Sequence, residues 1–206
     1  MQPIKVLTVD DHPLLREGIV GVLEDEADID VVAEASNGGE ALERFRHHNP
    51  DVTLMDLQMP DVSGLDSIIA IMKEFPGARI IVVTTYSGDV QIVRALKAGA
   101  VGYLLKSTLR KELTNAIRTV HTGRRYIPSE IAALIAEHTP EYALSEREIE
   151  VLKCIAEGHA NKEVGARLFI SEDTVKSHMR SILLKLAAND RTHAVTIALR
   201  RGIFSI

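Results

Sequence analysis

The chain has 206 residues, 46% of them hydrophobic and 26% charged, with a formal net charge of -5 and one cysteine, Cys154. That length fits one large domain or two small ones, each able to bury a core, and the lone cysteine excludes both an internal disulfide and a thiolate zinc cluster. The charge-free stretch Ile80–Gly88 is far too short to span a bilayer, and "IKVLTVDD" runs straight into a strand and then acid, unlike a signal peptide, so the expected location is cytoplasmic with no membrane partner.

Over the first ~125 residues, short β-branched runs alternate with amphipathic helical stretches, the pattern of a parallel sheet. In chain order the strands are expected at 4–9 (IKVLTV), 31–35 (VVAEA), 51–55 (DVTLM), 79–84 (RIIVVT) and 101–105 (VGYLL). Helices are expected near 13–24, 38–48, 63–75, 89–98 and 107–122, with Pro76-Gly77 and Gly99 as stops. Five such units predict an α/β, flavodoxin-like, doubly wound (βα)5 domain.

From about 127 the strand signal ends. "IPSEIAALIAEH" reads as a short helix opened by Pro128, and "TPEYA" (139–143) as a hinge. Four helices are then expected at 145–158, 161–168, 171–186 and 190–201. Ser145 with Glu148 makes a capping box, and Asn161, Ser171 and Asp190 are the expected N-caps of the other three. The predicted organisation is a first domain at 1–125, a linker with a short helix at 126–143, and an all-α four-helix domain at 144–206. Charge divides along the same line. Residues 143–206 carry ten Lys/Arg and eight Asp/Glu, the preceding 142 fourteen and twenty-one, so an acidic front meets a mildly basic back and two kinds of partner are implied.

Polar residues sit where the predicted strands end. Asp10 and Asp11 end the first, Asp56 the third in "DVTLMDLQMP", Thr84 the fourth and Lys106 the fifth. Singly each has a plain reading, as a helix cap, a core hydroxyl or a solvated lysine. Jointly they converge, because in a parallel sheet all these ends share one edge. Three neighbouring carboxylates repel one another, a penalty that a divalent cation removes, and an oxygen-only donor set favours Mg²⁺. A carboxylate held beside Mg²⁺ can attack phosphorus and become an aspartyl phosphate, with lysine and threonine steadying the transferring group.

"VDDHPLLREGI", "MDLQMPDVSGLD", "VVTTYS" and "GYLLKS" together resemble the receiver domain of two-component response regulators. The resemblance implies that Asp56 is the phospho-acceptor, Asp11 a direct metal ligand, Asp10 a ligand largely through water, and the Gln58 backbone carbonyl the third protein ligand. It makes Thr84 and Tyr103 a switch pair, pairs Lys106 with the phosphate, and puts Gln58 and Tyr86 where they shield the phosphorus from water. A sensor histidine kinase is the implied partner. Ser107 stands where many receivers have proline, so no cis peptide is expected after Lys106. One alternative is an aspartyl-phosphate phosphatase of the haloacid dehalogenase type. Gln58 argues against it, because it occupies the place of that family's general acid. The expected chemistry is therefore self-phosphotransfer and autodephosphorylation at Asp56, with no separate substrate. A second alternative, a receiver that switches without metal, is opposed by the intact acidic set.

"NKEVGARLFISEDTVKSHMRSILLKL" (161–186) has the outline of a helix-turn-helix. On its second helix Val175, Met179, Ile182 and Leu186 form a core stripe, which leaves Thr174, Lys176, Ser177, His178 and Arg180 largely outward, where they can meet double-stranded DNA. Residues 144–201 are similar, almost throughout, to the LuxR/NarL-type DNA-binding domain. That resemblance implies promoter binding, with phosphorylation driving a homodimer. Val195, Ala198 and Leu199 of the last helix are either a self-contact or core. Gly165 stands where alanine is usual in the family, at a cost of ~1 kcal/mol in helix stability.

Overall fold

The computed structural model describes residues 2–85, 89–137 and 144–204, with the backbone alone at 89 and 134–137. Two compact units emerge, the first drawn from residues up to Ala133 and the second chiefly from Leu134 onward. Tyr86 and the predicted hinge at 139–143 lie outside the described residues.

In the first unit the order is β1 (Ile4–Val9), α1 (Pro13–Glu24), β2 (Ile29–Ala35), α2 (Gly38–His48), β3 (Val52–Met55), α3 (Gly64–Glu74), β4 (Ile80–Thr84), α4 (Asp89–Lys97), β5 (Gly102–Leu105) and α5 (Leu109–His121). The five strands pair in parallel in the order β2-β1-β3-β4-β5. The chain winds one way from β1 and the other from β3, so the crevice beyond their carboxyl ends is the place where such sheets build sites. Every residue of β3 and β4 is buried, as expected for strands covered on both faces. Ile19 and Leu23 of α1 and Leu113 and Ile117 of α5 close the core over Val6, Leu54, Ile81 and Leu104.

Most boundaries in this unit fall within one residue of the sequence expectation, and two starts differ by two residues. β2 begins at Ile29, which is buried and pairs with Ile4, although the acidic residues around it hide the strand in the sequence. α5 begins at Leu109, because Thr108 takes the N-cap position. Beyond α5, Tyr126 adds itself to the sheet edge. Its carbonyl accepts from the Tyr103 N–H at 2.9 Å and its own N–H donates to Val101 at 3.0 Å. α6 (Ser129–Glu137) follows.

The second unit holds α7 (Glu146–Ala156), α8 (Asn161–Leu168), α9 (Glu172–Lys185) and α10 (Arg191–Arg200). Val151, Leu152, Val164, Val175, Ile182 and Ala194 form its core. Ser145 and Glu148 close their reciprocal capping box, and Ser171 and Asp190 cap α9 and α10. Asn161 does not cap α8. The N-cap is Ala160, whose N–H is satisfied by Glu163 Oε2 at 2.8 Å, so Asn161 becomes the first helical residue. Ala198 is fully buried, and Val195 and Leu199 pack against the same core.

Gly165 has a reason that helix propensity hides. A Cβ there would stand 2.7 Å from the Ile170 carbonyl oxygen, while the Ile170 N–H donates to the Gly165 carbonyl at 3.0 Å. Glycine lets the turn between α8 and α9, with Phe169 left-handed at φ 55, close down on the helix that supports it.

Candidate functional site

The ladder of the sheet runs past the strand ends and fixes the polar residues there. The Asp10 N–H donates to Ala35, the Asp56 N–H to Val9, and the Lys106 N–H to the Thr84 carbonyl, at 3.1, 2.9 and 2.9 Å. Asp10 and Asp56 are thereby held with side chains almost wholly buried. Lys106 reaches back between them, its Nζ 2.7 Å from Asp10 Oδ2 and 2.7 Å from Asp56 Oδ2. The remaining oxygens take backbone donors: Asp10 Oδ1 accepts from the His12 N–H at 2.8 Å and Asp56 Oδ1 from the Gln58 N–H at 3.1 Å. Arg16 donates to the Asp10 carbonyl at 2.6 Å, a clamp not foreseen in the sequence. Gly64 completes the seat. A Cβ there would lie 1.8 Å from the Asp56 carbonyl oxygen, so only glycine lets α3 start directly against the acceptor's backbone.

Charge is left over in this arrangement. Burial raises the Asp56 pKa; hydrogen bonds from Lys106 and Gln58 offset part of the effect, but the net direction is up. Burial acts on Lys106 as well, lowering its pKa, but the two carboxylates outweigh that and the ammonium is held above its usual value. One lysine faces three carboxylates, because Asp11 stands beside the pair and is only partly exposed. Asp10, Asp11, His12 and Asp56 each offer a ligand atom, all within 4.8 Å of one another. A carboxylate-rich, hard donor set of this kind suits Mg²⁺.

Thr84 is buried at the end of β4. Tyr103 of β5 is also fully buried, and burial, followed by the negative charge of Asp56, drives its phenol pKa upward. Gln58 is exposed, in the loop after β3. His12 takes the N-cap position of α1 without a side-chain cap bond, and Pro13 starts the helix. The Lys106–Ser107 peptide is trans.

On α9, Val175, Met179, Ile182 and Leu186 are buried, as their spacing requires. Lys176, Ser177 and Arg180 are exposed on the opposite side, whereas His178 is half-buried and the exposed Thr174 places its hydroxyl 2.8 Å from Ser171 Oγ. Lys176 is held by Glu172 at 3.0 Å and Asp173 at 3.3 Å. The helix is pinned from behind by Glu148 of α7, a residue that the sequence marks only as a cap. Its carboxylate is buried and accepts from Ser181 Oγ at 2.6 Å, Lys185 Nζ at 2.8 Å and the Ser145 N–H at 2.7 Å. Burial alone would raise its pKa, but those donors outweigh burial and hold it at about 2.

Known proteins match both halves. Residues 6–118 match the response regulator receiver domain family, and residues 142–198 match the bacterial regulatory proteins of the luxR family. The chain is 40% identical to the uncharacterized transcriptional regulatory protein YxjL of Bacillus subtilis, over 97% of each chain. It is 38% identical to the transcriptional regulatory protein LiaR of the same organism, over 97% of this chain and 99% of LiaR. Among solved structures, the response regulator RcsB in complex with DNA aligns over 97% of this chain and 99% of its own, with a TM-score of 0.73 and 26% identity.

Proposed function

The chain belongs to the LuxR-type response regulators, a receiver domain followed by a LuxR-type DNA-binding domain that regulates transcription, and from that premise we propose that Mg²⁺-dependent phosphorylation of Asp56 controls its dimerisation and its sequence-specific DNA binding. The observation that carries the reading is the lysine bridge, in which one ammonium stands 2.7 Å from the buried carboxylates of both Asp10 and Asp56.

Asp56 is the nucleophile. One of its carboxylate oxygens bonds to the phosphorus of a phosphohistidine on a sensor kinase, or of a small acyl phosphate, while the bond from phosphorus to the leaving group breaks. Lys106 already lies against the attacking carboxylate, where its ammonium can pair with the incoming phosphoryl oxygens. Asp10, Asp11 and Asp56, with the Gln58 backbone carbonyl, would hold the Mg²⁺. The ion supplies charge neutralisation on the transferring group. Thr84, whose carbonyl accepts from the Lys106 N–H, and the buried Tyr103 of β5 are the pair that reads the modification. Hydrolysis of the aspartyl phosphate returns the protein to its starting state, and no separate substrate is turned over.

In the second unit Lys176, Ser177 and Arg180 are the main DNA contacts, flanked by Thr174 and His178. Double-stranded promoter DNA is the partner, and a homodimer on a two-fold site is the expected bound form. The structural description of two RcsB dimers bound to two parallel DNAs supports that stoichiometry by analogy. The domain limits 1–125, 126–143 and 144–206 complete the reading, as does a place in the cytoplasm.

The test is incubation with Mg²⁺ and acetyl phosphate, followed by intact-mass measurement. One acid-labile phosphoryl group is expected on the wild-type protein, none on Asp56→Asn and very little on Asp11→Ala. Undiminished labelling of Asp56→Asn would overturn the assignment.

A further inference from the structure

α9 carries an acidic residue in a place where DNA readers have reason to avoid one. Asp173, Lys176, Ser177, Arg180 and Leu184 follow the i, i+3, i+4, i+7 and i+11 spacing of a single helix face, opposite the buried Val175, Met179 and Ile182. Asp173 is the first of the five, at the amino-terminal end that in helix-turn-helix proteins reaches the base edges. Its side chain is 92% exposed, and among the described residues it pairs with Lys176 alone, at 3.3 Å, a lysine that Glu172 already holds at 3.0 Å.

Helix stability alone does not require a carboxylate at this position. Ser171 caps the helix through the Thr174 N–H, and Glu172 already supplies negative charge to the first turn. In the major groove an aspartate faces two rows of phosphates and gains only where it meets a hydrogen-bond donor. The base-edge donors there are the amino groups of cytosine and adenine. Adenine sets its N7 acceptor beside its amino group, which repels a carboxylate, whereas cytosine's own edge offers the N4 amino group without that acceptor.

We infer that Asp173 is a specificity-determining residue of this chain, its carboxylate accepting a hydrogen bond from N4 of one cytosine in each half-site. The inference rests on the proposal that α9 reads DNA. It also gives the charge pattern a meaning. With Lys176 offset by two carboxylates, the reading end draws less on phosphate attraction and more on base contacts. Asp173 thus filters out sites that lack the cytosine.

The test uses the full-length protein, treated with Mg²⁺ and acetyl phosphate, to select from a pool of random duplex DNA, with the enriched sequences read base by base. The wild type should enrich cytosine at one base pair of each half-site. Asp173→Ala should lose that preference alone, by a factor of about 5 to about 150, and keep the rest of the motif. Asp173→Asn, whose amide both donates and accepts, should shift the preference at that pair to adenine. Glu172→Gln removes the same charge one residue away, off the outward face, and should leave the motif unchanged. An identical motif for Asp173→Ala and the wild type, with only a uniform gain in affinity, would overturn the inference. So would an equal change at that base pair in Glu172→Gln. If the wild type enriches no motif, the reading of α9 as a DNA reader fails and the inference falls with it.

Discussion

Each unit of this protein buries a carboxylate beside a lysine, and the two carboxylates have opposite characters. Glu148 spreads three donors over its two oxygens, from Ser181, Lys185 and the Ser145 N–H, and its pKa sits at about 2. Asp56 shares its lysine with Asp10, gains one backbone donor from Gln58, and has a raised pKa. A buried charge that is fully partnered holds structure together. One that is short of partners is costly where it stands, and it is chemically available: it gains by taking a cation, and its oxygen is free to act as a nucleophile beside an ammonium that can pair with an incoming phosphoryl group. The satisfaction of a buried acid, more than its burial, separates the fastener from the reactive group.

The largest expected effect tests the fastener. Glu148→Ala leaves Lys185, Ser181 and the Ser145 N–H without their acceptor, at a cost of about 3 kcal/mol, near the lower end for breaking a buried pair. Urea unfolding followed separately in the two units should show the loss in the second unit and none in the receiver. Asp56→Asn should act in the opposite sense. It removes one carboxylate from a site with too many and leaves Asp10 paired with Lys106, so the metal-free protein should gain about 1 kcal/mol. A destabilised Asp56→Asn receiver would break the comparison.

Titration sharpens it further. The Glu148 pKa is depressed, so its stabilisation is fully present above the ordinary carboxyl value of 4.5 and is lost as pH falls toward about 2. The Asp56 pKa is raised, so its contribution is greatest below the ordinary value of 3.8 and is lost as pH rises through the higher folded value. Stability differences between the wild type and Glu148→Gln, and between the wild type and Asp56→Asn, should therefore change with pH in opposite directions across the acid range. Parallel slopes would contradict the contrast. The smallest effect belongs to Gly165→Ala, which gains ~1 kcal/mol of helix propensity and then meets the Ile170 carbonyl. A net loss within about 1 kcal/mol is expected in thermal melts of the second unit.

Much of this protein could be read from its sequence, because the informative features are local or periodic. β-branched runs separated by amphipathic stretches define the (βα)5 sheet, and a parallel sheet brings its strand ends to one edge, so Asp10, Asp11, Asp56 and Lys106 could be grouped from their positions alone. The core stripe of α9 followed from helical spacing in the same way. Other features depended on contacts between residues far apart in the chain. The grip of Glu148 on Ser181 and Lys185 spans 33 and 37 positions, and no local pattern distinguishes it from an ordinary capping glutamate. Gly165 reads as a weak spot in a helix until the Ile170 carbonyl is seen against it, and the need for glycine at 64 shows only once the Asp56 carbonyl is in place. Asn161 and Ala160 exchanged roles because Glu163 reaches back to cap the helix without a polar residue at the N-cap. Asp173 shares the helical spacing of Lys176, Ser177 and Arg180, and the packing of α9 adds that this face is uncovered and that the Asp173 carboxylate is almost wholly exposed on it. Sequence periodicity identifies which residues can share a face. The tertiary structure decides which face is covered, which polar atoms are already satisfied, and which are left to act.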